Sequence, residues 1–143
     1  MATETSGGGR LTLLFLSVVS DSLPEGKTIT LDPAKADKSQ PVTIKQGVEY
    51  HLEVAFRVDQ DIVSGVRYVH VVKQAGLDVD KLQRSFGSYG PSADPYTEQL
   101  ESEEAPTGIM ARGASYLVRS RLRDDDGTVH ADFEWSYELA TEW

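Results

Sequence analysis

The side chains best able to do chemistry in this sequence are three histidines, His51, His70 and His130, and two runs of acids. Imidazoles bind metals when several ligands converge, but these three stand on separate segments, so no metal is expected. Cysteine is absent, which removes thiolate sites, disulfides and cysteine nucleophiles together. No phosphate-cradling glycine loop and no nucleophile elbow can be found either. With no recognisable constellation, the chain reads as a binding protein and not an enzyme, and no cofactor is expected. The acids are more informative. Asp124-Asp125-Asp126 lacks the alternating oxygens of a calcium loop and suits a solvated hairpin tip, since turns attract aspartate. Asp94, Glu98, Glu101, Glu103 and Glu104 crowd a stretch with Pro95 and Pro106 nearby. That stretch is either a solvated loop or a platform whose charge steers a basic peptide.

The elements that must carry these residues are strands. Tyr50, Leu52, Val54, Phe56 and Val58 alternate with His51, Glu53 and Arg57, the period-two signature of a half-buried strand. Val129, Ala131, Phe133, Trp135, Tyr137 and Leu139 share one face near the end of the chain, opposite His130, Asp132, Glu134, Ser136 and Glu138. Tyr116, Val118 and Leu122 alternate with arginines just before them, and the acidic connector ends in Gly127, so the two runs form an antiparallel hairpin. Weaker strands are expected at Leu11–Val19, Lys27–Leu31, Val42–Lys45, Ile62–Val72 and around Leu82–Tyr89. Val79–Arg84 could form one helical turn. About seven to nine short strands joined by polar turns predict an all-β fold, an Ig-like antiparallel β-sandwich. Phe133, Trp135 and Tyr137 are most simply its core, and periodicity does not separate a filled core from one that opens into a lipid-sized pocket.

Composition bounds the rest. The chain has 143 residues, with 23 acidic and 14 basic side chains and a formal charge of −9. Such a charge repels phosphate backbones, so nucleic acid is not an expected partner and a basic one is favoured. Leu11–Val19 is too short and too interrupted to span a bilayer; it could pass for a secretory signal after Arg10, but reads better as a buried first strand. Residues 1–9, with three consecutive glycines, are expected to be a disordered tail or cloning remnant, leaving 10–143 as one sandwich domain.

An ordered set of short segments adds to this reading. Phe56-Arg57-Val58 is followed by Ile62-Val63-Ser64-Gly65 and Gly87-Ser88-Tyr89-Gly90-Pro91. Then come Glu103-Glu104-Ala105-Pro106, Ala111-Arg112-Gly113, Asp124-Asp125-Asp126, Phe133-Glu134-Trp135 and Trp143. In order and near-spacing these resemble the Rho GDP-dissociation inhibitors, from about Leu11 to the C-terminus, with one extra residue near Ala114. The resemblance implies a sandwich whose sheets part to accept a geranylgeranyl or farnesyl chain. It implies a cytoplasmic, monomeric protein that extracts prenylated Rho-family small GTPases from membranes without inserting stably itself.

Residue by residue, Trp135 matches the aromatic wall of the family's prenyl pocket, and Ile62, Met110, Val118 and Leu16 its aliphatic wall. Val42 stands where many relatives carry phenylalanine, and Phe133 replaces a common tryptophan. Glu103, Glu104, Asp125 and Asp126 match positions near the GTPase's basic tail, and Asp80 one facing the GTPase body. The family also carries a long N-terminal arm that blocks nucleotide exchange. This chain begins almost at its first strand, so inhibition of exchange is expected to be weak while lipid capture survives. A general carrier for lipidated cargo, or a structural sandwich without a pocket, are the rival readings.

Overall fold

A computed structural model describes residues 10–108 and 113–143. Alternating apolar residues place ten strands in two sheets. In chain order these are β1 (Leu11–Val19), β2 (Ile29–Leu31), β3 (Val42–Lys45), β4 (Glu49–Val58), β5 (Val63–Gln74) and β6 (Leu77–Tyr89). They continue as β7 (Tyr96–Gln99), β8 (Glu103–Glu104), β9 (Ser115–Arg123) and β10 (Val129–Ala140), with one 3₁₀ turn at Pro33–Lys35. One sheet runs β3-β10-β9-β5-β6; the other runs β2-β1-β4-β7, with β8 pairing the start of β4. The expected sandwich is present, and every expected strand falls within a few residues of its place.

Three details differ from expectation. Val79–Arg84 is not a helical turn but part of β6, whose thirteen residues all pair with β5 or continue that ladder. The acidic stretch between Asp94 and Glu104 is not simply loop: it contains β7 and β8, held by ladder bonds to β4. And one pairing is parallel, β3 against β10, where Val42 lies opposite Tyr137.

The inner faces meet as the patterning requires. Val54, Phe56 and Val58 of β4 are fully buried against Val66, Tyr68 and Val72 of β5 and Val118, Leu122, Trp135 and Leu139 of the last hairpin. Burial of a large apolar side chain contributes about 1.5–3 kcal/mol, so this shared face is the main source of stability. The two sheets meet unevenly at the edge where β6 faces β7 and β8. Phe56, Tyr89 and Tyr96 close one end of that edge, with ring centroids 4.8–5.7 Å apart. Tyr89 also bonds the Glu98 carboxylate, and the Tyr96 hydroxyl donates to the Gly90 carbonyl at 2.8 Å. Gly87-Ser88-Tyr89-Gly90-Pro91 is therefore a fastening of the seam.

The same end is tied again at the hairpin tip, where Arg10, just before β1, approaches Asp124 at 3.8 Å from the other sheet. The Asp125 amide donates to the Ser64 carbonyl at 2.9 Å, and its carboxylate accepts from Arg67 at 2.7 Å. Gly65 takes φ +64, and a β-carbon there would overlap the Asp125 carboxylate. Asp124 is buried behind it, accepting from the Asp126 and Thr128 amides and from His130 Nε2 at 2.8 Å. Burial would raise its pKa, but these hydrogen bonds outweigh it and hold the carboxyl below the usual range.

Candidate functional site at the seam between the sheets

Beyond the aromatic fastening, the seam opens. A groove of about 260 Å³ lies between Asp80–Arg84 of β6 and Glu101–Glu103 at the edge of the other sheet. Deeper in, and sharing Asp80 and Glu103 with it, is a cavity of about 20 Å³. Its walls are Val72, Val118, Trp135 and Tyr137 from one sheet and Tyr50 and Leu52 from the other, with His70 beside them. Register explains the grouping: Asp80 is paired with Val72, Val72 with Val118, and Val118 with Trp135, so one row crosses four strands. The apolar members of that row face the opposite sheet. Its acidic member, on the edge strand, stands at the mouth.

The groove is lined by Asp80, Glu101 and Glu103 and by Lys81 and Arg84, and at its inner end two carboxylates face each other. Glu103 is half-buried and its pKa is raised, first by burial and then by the Asp80 carboxylate facing it. Among the described residues no cation lies within salt-bridge distance of either acid, although Lys81 and Arg84 line the groove nearby. A cation placed there would relieve that repulsion. Within, the surroundings are apolar. Burial pushes the Tyr50 and Tyr137 phenols up and brings the His70 imidazole down to about 4, with Asp80 pulling weakly the other way. His70 is therefore neutral at physiological pH.

The expected site residues divide accordingly. Trp135 and Val118 line the cavity, and Asp80 and Glu103 guard it, so four of them converge at one place. Glu104 is exposed next to Glu103. Leu16 is buried in the core on β1, while Val42 and Phe133 are half-buried against it; none of the three lines the cavity. Met110 lies outside the described residues. Ile62 is not brought to the site: its side chain is 63% exposed in the turn before β5, because Val63 takes the inward position there. Ten residues separate Ile62 from Val72, roughly 30 Å of extended strand. Asp125 and Asp126 belong to the opposite end of the sandwich and are already engaged, with Arg67 at 2.7 Å and Arg10 at 3.9 Å.

Spacing alone missed Tyr50, Leu52, Val72, Tyr137 and His70. All five occupy inward positions of strands whose alternation is plain. Only the register between strands tells which inward positions meet at the seam. The three histidines stay apart, and among the described residues no group of histidines and acids is arranged to hold a metal. No helix among the described residues is long and apolar enough to cross a membrane.

Comparison with known proteins gives the family. The family model described as RHO protein GDP dissociation inhibitor matches residues 2–142. Rho GDP-dissociation inhibitor 1 of Bos taurus is 43% identical over 74% of this chain and 52% of its own length. The Homo sapiens protein of that name is 39% identical over 90% of this chain and 63% of its own. The Rho GDP-dissociation inhibitor of Schizosaccharomyces pombe is 39% identical over 92% of this chain and 64% of its own. The chain thus spans about half to two-thirds of the length of the curated relatives it matches. Among solved structures, the C-terminal domain of wzt superposes with a TM-score of 0.58 at 10% identity, over 96% of this chain and 77% of that one, a likeness of fold alone.

Proposed function

This chain belongs to the Rho GDP-dissociation inhibitor family, and on that premise we propose that it binds the isoprenyl group of Rho-family small GTPases between its sheets. By capping the lipid it extracts its partner from membranes and keeps it soluble in the cytoplasm, acting as a monomer and without catalysis. The observation that carries this reading is the seam: a charged groove whose inner end, at Asp80 and Glu103, leads to a cavity walled by Leu52, Val72, Val118 and Trp135. A lipid attached just beyond lysines and arginines suits both parts. The chain would enter past Asp80 and Glu103 while the basic tail remains on the acids.

The cavity of about 20 Å³ has room for about one water, so this is the closed form of the site. Entry requires the edges of the two sheets to part at β6 and β8. Each buried methylene returns about 0.8 kcal/mol, so a prenyl chain can offset that separation and still compete with a bilayer. The acids contribute little each, about 0.2–1 kcal/mol at exposed positions, and steer more than they anchor.

The test is tryptophan fluorescence in a W143F background, titrating a geranylgeranylated, basic-tailed peptide against the unprenylated peptide. A saturable change with the lipidated form alone is expected. No response from either peptide, with calorimetry also flat, would sink the reading. Equal binding of myristoylated and prenylated peptides would move the function to a general carrier of lipidated cargo.

A further inference from the structure

The inner face of the β5-β9-β10 sheet carries a polar row beside the apolar one, and it is fully wired. The Trp135 indole donates from Nε1 to Ser120 Oγ at 2.9 Å, Ser120 Oγ lies 2.7 Å from Tyr68 Oη, and Tyr68 Oη lies 3.0 Å from His70 Nδ1. All four residues are at most 3% exposed. An indole can only donate. The direction that gives every hydroxyl proton one partner therefore runs Trp135 to Ser120 to Tyr68 to His70, and leaves His70 Nδ1 as an acceptor. Trp135 and His70 line the cavity, whereas Ser120 and Tyr68 do not.

We propose that Ser120 is a positioning residue of the lipid site, whose hydroxyl holds the Trp135 indole and, through Tyr68, the His70 ring in place as walls of the cavity. The proposal rests on the isoprenyl reading above. A row of aliphatic residues would pack this face without any polar group to satisfy, and a buried polar network is not needed for stability as such. What the network supplies is direction. Side chains fixed by packing against the opposite sheet lose their constraint when a lipid parts the sheets. All four residues of the relay belong to one sheet, on β5, β9 and β10, so their hydrogen bonds survive that separation. The wall stays ordered while the site is open.

Calorimetric titration of the geranylgeranylated peptide into wild type, S120A, S120T, W135F and the S120A/W135F double variant tests this. S120A should weaken binding about tenfold, the effect of one net buried hydrogen bond, with loss of the near-ultraviolet signal of the ordered indole. S120T, which keeps the hydroxyl, should restore both. In the W135F background, S120A should weaken binding by much less, because the donor it serves is gone. Where S120A does not fold, S120C replaces it, conserving volume while weakening the acceptor. Wild-type affinity in folded S120A or S120C, or an undiminished effect in the W135F background, would overturn the proposal. If wild type itself binds no lipid, the isoprenyl reading fails first and the proposal falls with it, an outcome distinct from binding by wild type that the variants leave unchanged.

Discussion

His70 and Gly65 show how single residues set the terms of this fold. His70 sits neutral in the core, with its pKa brought from the ordinary 6.5 down to about 4 chiefly by burial. A depressed folded-state pKa means that the unfolded chain takes up the proton first as pH falls. Its contribution is thus complete above pH 6.5 and is lost as pH falls toward the folded value near 4. Across that window wild type should lose roughly 3 kcal/mol that H70Q does not. Urea unfolding at pH 7 and at pH 4.5 checks this, and parallel losses in both proteins would refute it. At Gly65 the constraint is steric: φ +64 and the Asp125 carboxylate together leave no room for a side chain. G65A should cost about 2 kcal/mol by strain and displacement of the carboxylate, read as a lower midpoint of denaturation.

Among the elements, the acids divide into two groups that the chain order conceals. Glu103 pairs with β4 at Tyr50, whereas Asp124–Asp126 lie by Arg10 at the Val58 end, roughly 25 Å along the same strand. Among the described residues the first group has no ion-pair partner, whereas the second is occupied by Arg67 and Arg10. Neutralising Asp80 and Glu103 together (D80N/E103Q) should therefore slow association with a basic-tailed prenylated peptide several-fold and flatten its salt dependence. D125N/D126N should change the rate far less; stopped-flow mixing over a salt series decides, and equal effects of the two pairs would count against a single acidic mouth. The long strands were legible because alternation is a property of one segment: Val129–Ala140 announces its own inner face. β7 and β8 were not, since segments of four and two residues are too short to show a period of their own and become strands only by pairing with β4. Ile62 was placed at the pocket by the family match and not by its strand's own alternation, and here it faces outward. It adjoins Val63, and which of two neighbouring apolar residues turns inward is settled by the turn before β5 and not by composition.

For the molecule as a whole, the proposed lipid binding requires the seam to be the part that moves. It is fastened at the Phe56-Tyr89-Tyr96 end and there again by Arg10 beside Asp124, whereas at the other end the Asp80 and Glu103 carboxylates face each other across the gap. The parallel pairing of β3 with β10 has a further consequence, in time and not in space. β10 lies between β3 and β9 in its sheet, yet it leaves the ribosome after the nine other strands of the described residues. Until it emerges, β3 has no sheet neighbour and Trp135 is missing from the core. This domain cannot complete its fold during synthesis strand by strand; its earlier hairpins must wait, partly exposed, for the last strand to be inserted among them.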